Sequence, residues 1–178
     1  ATETPHSRRA GSCMIVVTTD HAAHDPDAGA PLEGRRYWEV PARADALLQT
    51  VRAAGHQIVP HGDRGLDPIS RLHDAGYLRF LKDGFATWRQ EGGVGPALRP
   101  GAFAVRHLDR LPRSATAQAG YYLATLSAPL LAATWRAAYD AAQTALDGAD
   151  LILQGERLAY ALCRPPGHHA CTDLAGGF

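Results

Sequence analysis

Cysteine is scarce in this chain. The 178 residues hold three, Cys13, Cys163 and Cys171. Any pairing leaves one thiol over, and their scatter fits neither a disulfide framework nor a zinc ribbon, so a reduced, cytoplasmic setting is expected. Net charge is missing too: Lys+Arg and Asp+Glu stand at 18 each. No global field therefore recruits nucleic acid or an anionic membrane. No apolar run approaches the roughly 18 residues of a membrane span. The sequence has no GxGxxG fingerprint, no P-loop and no GxSxG elbow, the signatures of dinucleotide, nucleotide and serine-hydrolase sites. Internal repeats and low-complexity tracts are absent as well.

What remains is an ordinary globular composition, 46% hydrophobic and 20% charged, in a chain long enough for one domain with a core. Residues 1–13 are polar, with Arg8 and Arg9 but no apolar segment of signal-peptide type behind them. They are expected to be a disordered N-terminal extension, the domain proper running over 14–178 from Met14.

Met14 to Thr19 (MIVVTT) has the β-branched content of a buried strand. Asp20 to Trp38, rich in Pro, Gly and charge, is a long loop, and such loops are often functional. Pro41 to Ala54 predicts a helix with Pro in its first turn and Gly55 closing it. Gln57 to Pro60 is a second strand. Leu66 to Gln90 predicts helix in two pieces around Gly76. Gly92 to Arg113, broken by Pro96, Pro100 and Pro112, is another long loop. Ala115 to Leu126 and Leu130 to Asp147 predict helices, with breaks at Pro129 and Gly148. The apolar pattern resumes at Leu151 to Leu153, and Leu158 to Cys163 is a strand. Strands alternating with helices imply a layered α/β domain on a parallel sheet, with its site beyond the carboxyl ends of the strands.

Directly after that last strand comes Arg164-Pro165-Pro166-Gly167-His168-His169-Ala170. Two prolines fix their own φ angles and press Cys163 and Arg164 towards extended backbone, so the loop is stiff. Gly167 lets a substrate or metal approach the chain closely. Imidazole gives or takes a proton near neutral pH, so two in a row on a rigid loop form a candidate acid–base centre. The alternative is that either ring is simply a satisfied, partly buried residue.

Other groupings are weaker. His21-x-x-His24-Asp25-x-Asp27 offers metal-ligand types, although short clusters on loops are more often solvated polar residues. His73-Asp74 followed by Tyr77 fits a hydrogen-bonded helix terminus. Arg106, Arg110 and Arg113 lack the density of a nucleic-acid patch and are expected to be loop surface.

The septet, with Gly176-Gly177-Phe178 soon after, resembles the histone deacetylase superfamily, and more narrowly its bacterial acetylpolyamine amidohydrolases. Asp20-His21, Glu39-Val40-Pro41-Ala42-Arg43, His73 to Leu78, Gly120-Tyr121-Tyr122, Thr134-Trp135 and Asp147 to Ile152 extend the likeness in the family's order. The resemblance implies an arginase-like, three-layer α/β fold on a parallel sheet and zinc-dependent hydrolysis of an acetylated amine, such as an acetylpolyamine or acetyl-lysine. It assigns proton transfer to His168 and His169, with His169 as the base and His168 as its electrostatic partner. It gives Gly167 a backbone hydrogen bond to substrate, Phe178 a place in the substrate tunnel, and Arg43 a place in an internal channel for acetate. It makes the 92–113 loop a dimer contact.

In the family the strand beginning at Phe178 leads to an Asp-x-His pair, a further Asp and a Tyr, which supply the zinc ligands and a hydrogen-bond donor. The resemblance therefore implies that this chain is the N-terminal part of such a domain, its sheet incomplete, without metal ligands and inactive by itself. Ser114 to Thr134 holds no acidic residue, so the substrate stays open between polyamine and other acetylated amines. A second reading is an inert deacetylase-like protein acting through association, and a third is metal binding at His21, His24 and Asp25.

Overall fold

β-Branched residues buried from both sides set the centre of the sheet. The structure, a computed structural model, describes residues 13–29, 37–104 and 110–177. Strand β1 (Ile15–Thr18) pairs in parallel with β2 (Gln57–Pro60) on one side and β5 (Ala159–Ala161) on the other, giving the order β2-β1-β5. Val16 and Val17 in the central strand are fully buried, as a parallel strand covered on both faces requires. A second, antiparallel pair joins β3 (Ala97–Leu98) to β4 (Leu130–Leu131).

Helices cover the sheet on both faces. Val16 packs with Ala44 and Val51 of α2 (Pro41–Ala53), together with Leu162. Neighbouring residues of a strand point to opposite faces, so Val17 and its register partner Ala161 face the other way. There they meet α6 (Thr134–Leu153), whose Gly148 lies so close that an added Cβ would sit 3.1 Å from the Ala161 Cβ. This proximity explains why Gly148 does not break the helix as expected: it is a contact point, and Leu151 to Leu153 form the last turn.

The short helices α1 (Pro26–Gly29) and α3 (Asp67–Ser70) lie in what the sequence marks as a loop and as a broken helix. The break falls at residues 71–74 and not at Gly76, because Asp74 caps α4 (Ala75–Gln90), accepting from the amides of Gly76 at 2.8 Å and Tyr77 at 3.0 Å. Helix α5 (Ala115–Tyr122) is capped by Ser114 and ends before Leu126. Leu130 and Leu131 are strand, not the start of a helix. Tyr77, Phe80, Leu98, Ala119, Tyr122 and Leu130 make a second core between α4, α5 and the β3–β4 pair. Among the described residues no helix is long and apolar enough to cross a membrane.

Candidate active site

Beyond β5 the chain turns through a buried charge. Arg164 is 3% exposed and Glu39 4%. The Arg164 Nη1 donates to the His21 carbonyl at 2.7 Å, and Nη2 donates to the carbonyls of His24 and, at 3.4 Å, Glu39. Its Nε lies 2.6 Å from the Glu39 carboxylate. The same carboxylate accepts from the half-exposed Arg43 at the start of α2. Burial of an ion is tolerated where a partner and hydrogen bonds replace water. Burial lowers the Arg164 pKa and Glu39 opposes that shift. His24, whose Nδ1 finds no hydrogen-bond partner among the described residues, is held at about 4 by burial and then by the Arg164 charge. His21 is lowered for the same two reasons, in the same order, and its Nε2 lies 3.0 Å from the Thr18 hydroxyl.

The histidine loop follows. The Arg164–Pro165 peptide is cis, and Gly167 has φ +73°, in the left-handed region that favours glycine. The Ala170 amide donates to the Gly167 carbonyl at 2.9 Å, closing a turn around His168 and His169. Both are exposed, with ring centroids 4.2 Å apart and planes at 49°. The rings thus stand outside the apolar core, where proton exchange requires them.

Gly177 has a steric reason to be glycine. A Cβ on Gly177, whose φ is +76°, would lie 2.1 Å from the His169 Cδ2. Only bare backbone fits against that ring. The segment is strapped down, with the Ala175 amide donating to the Tyr122 carbonyl at 2.9 Å and the Ala124 amide to the Ala175 carbonyl at 2.7 Å. Further back, the Asp74 amide donates to the Thr172 carbonyl at 2.9 Å, and His73 Nδ1 lies 3.0 Å from the Cys171 carbonyl.

Two cavities flank the loop. One, of about 100 Å³, has walls from His24, Tyr37, Glu39, Tyr77, Gly167 and Gly176. The other, of about 380 Å³, is walled by Tyr77, Trp135, Tyr139, Cys163, Pro166 and His168. Tyr77 borders both, and burial pushes its hydroxyl up to about 12, so it remains a hydrogen-bond donor at neutral pH.

The structure therefore gathers Gly167, His168 and His169 on one loop and brings Arg43 to the carboxylate that anchors that loop. Phe178 lies outside the described residues, as do residues 105–109 of the 92–113 loop. The His21-His24-Asp25-Asp27 grouping is no metal centre here: among the described residues no three His, Cys, Asp or Glu side chains come together to hold an ion. Its histidines are buried and their carbonyls serve Arg164. Asp25 Oδ1 accepts from the Asp27 amide at 3.0 Å and Asp27 Oδ1 from the Tyr37 amide at 3.2 Å. Sequence reasoning gave Arg164 and Glu39 no role. Their only signal was place, an arginine at a strand end before two prolines and an acid before a helix-opening proline.

A parallel sheet clad in helices, with a histidine loop past the carboxyl end of a strand, defines an α/β protein of arginase/deacetylase type. The chain belongs to the histone deacetylase domain family, whose pattern it matches over residues 37–178. It is 43% identical over 172 residues to acetylpolyamine amidohydrolase 1 of Pseudomonas aeruginosa, covering 93% of this chain and 49% of that protein. Against acetylpolyamine amidohydrolase of Mycoplana ramosa it is 40% identical over 143 residues, 79% of this chain and 42% of the relative. The crystal structure of acetylpolyamine aminohydrolase from Burkholderia pseudomallei superposes with a TM-score of 0.83 at 40% identity, over 92% of this chain and 48% of that one. The chain thus spans about half the length of these relatives.

Proposed function

We propose that the protein carrying this chain is a deacetylase that hydrolyses an acetylated amine, an acetylpolyamine first among the candidates, and that this chain supplies its proton-transfer loop. The observation that carries the proposal is the exposed His168–His169 pair on a turn braced by Pro165, Pro166 and the Gly177 backbone. The named activity of relatives at about 40% identity supports the substrate class.

His169 takes a proton from the attacking water as its oxygen bonds to the amide carbon. It returns that proton to the nitrogen as the C–N bond breaks, releasing acetate and the free amine. His168, whose ring lies against it, tempers the charge that develops. The Gly167 carbonyl, with one lone pair engaged by Ala170, retains another for a substrate N–H. Arg43 is proposed to meet departing acetate, Phe178 to line the substrate tunnel, and the 92–113 loop to form a dimer contact in a cytoplasmic enzyme. Zinc, as the resemblance implies it, would be held in the whole protein by residues beyond Phe178; among the described residues no ligand set comes together for it.

Acetate release from acetylputrescine and from an acetyl-lysine peptide, measured on the protein carrying this chain, tests the reading. His169→Ala is expected to lower turnover by roughly two to four orders of magnitude, and near-normal turnover would refute the assignment. The 178-residue chain alone, assayed with added zinc, is expected to release no acetate.

A further inference from the structure

Arg164 is the one buried residue of the septet, and its contacts converge on three residues distant in sequence. His21, His24 and Glu39 lie 143, 140 and 125 residues away in sequence. We propose that Arg164 is a positioning residue for His168 and His169: its buried guanidinium locks the root of their loop onto the backbone at His21, His24 and Glu39, with the Glu39 carboxylate as its counter-ion. The functional half of this inference rests on the deacetylase reading, whereas the clamp stands on geometry alone.

The contact pattern demands a guanidinium. Nη1 reaches one carbonyl, Nη2 two others, and Nε faces the carboxylate, so a rigid planar fork is used on several edges at once. A lysine ammonium presents its donors from one point and cannot reach all of them. Orientation set at Arg164 is carried forward because little between it and the histidines can rotate. Pro165 and Pro166 have fixed φ, and Gly167 begins a turn closed by the Ala170 amide. At the far end the His169 ring lies on the Gly177 backbone. The loop is thus held at both ends. The clamp also borders the smaller cavity, whose lining includes His24, Glu39, Pro165 and Gly167. Arg43 touches the same carboxylate, but its side chain is 57% exposed, so solvent screens it and it cannot substitute for the buried partner.

Nuclear magnetic resonance on the whole chain with labelled histidine reads the clamp directly. In the wild type a cross-relaxation peak between the His168 and His169 rings is expected, their centroids being 4.2 Å apart. Arg164→Lys is expected to abolish it and to shift amides at 21–24 and 165–170, leaving those of α6 in place. Should that variant fail to fold, Arg164→Gln combined with Glu39→Gln removes both charges together, so neither is left buried alone, and the same loss is expected. In the protein carrying this chain, Arg164→Lys is expected to lower kcat by roughly tenfold to a hundredfold with KM within about twofold, as misplacement of reacting groups does. A ring–ring peak that persists in the variants would overturn the clamp, as would unfolding of both. Loss of the peak with unchanged kcat would overturn the positioning role. If the wild type releases no acetate while the peak is still lost in the variants, the clamp is supported and the deacetylase reading falls.

Discussion

His24 sits 5% exposed beside a permanent cation, and this sets how the fold responds to acid. In the unfolded chain its imidazole takes a proton near 6.5, whereas in the folded protein it does so only at about 4. Between those values the unfolded state holds more protons, so stability falls as pH drops and is flat above the window. One proton corresponds to about 1.4 kcal/mol per pH unit, and His24 removes about 3 kcal/mol by pH 4. His21 acts in the same direction. Urea unfolding midpoints are therefore expected to fall between pH 7 and pH 4.5, and His24→Gln to flatten that slope. A midpoint that does not move over this range would show that both imidazoles protonate freely in the folded state.

At the scale of elements, the start of α4 shows local chemistry and site geometry meeting. Asp74 caps the helix and its own amide binds the Thr172 carbonyl, so one residue begins a helix and fastens the segment leading to Gly176 and Gly177. Asp74→Ala is expected to cost about 1 kcal/mol in denaturant unfolding. The cap was legible because Asp, Gly and Tyr lie within four residues of each other. Gly148 misleads for the opposite reason. Its neighbours in sequence suggest a break, but its role is to let Ala161 of β5 approach, and that neighbour lies thirteen places on. Leu130 and Leu131 were likewise hidden, since pairing with Leu98 and Ala97 leaves no mark in an apolar run that also suits a helix.

Across the whole molecule two apolar clusters support the histidine loop from different sides. The cluster of α2 and the sheet takes in Leu162, two places before Arg164, while the core of Tyr77, Phe80 and Tyr122 holds the strand-like stretch at Ala175. Phe80 is 2% exposed and stacks on Tyr122 with centroids 5.1 Å apart. Phe80→Ala is expected to destabilise the chain by about 3–5 kcal/mol, the range for a large core truncation, measured as a drop in the urea midpoint at constant slope.

The three strands of the parallel sheet with the main helices between them, the helix terminus at His73-Asp74 and the rigid turn carrying His168 and His169 came from the amino-acid sequence by itself. Each depends on forces acting within a few residues: the φ of proline, side-chain alternation, and a carboxylate reaching the amides next to it. The grip of Arg164 on Glu39 and on the carbonyls of His21 and His24, the seat of His169 on Gly177, and the loss of the His21–His24 cluster to a structural role were decided by tertiary structure. The Arg164 contacts join residues more than 120 positions apart, and burial is what gives them strength, because a charge removed from water must take its partners from whatever chain folds against it.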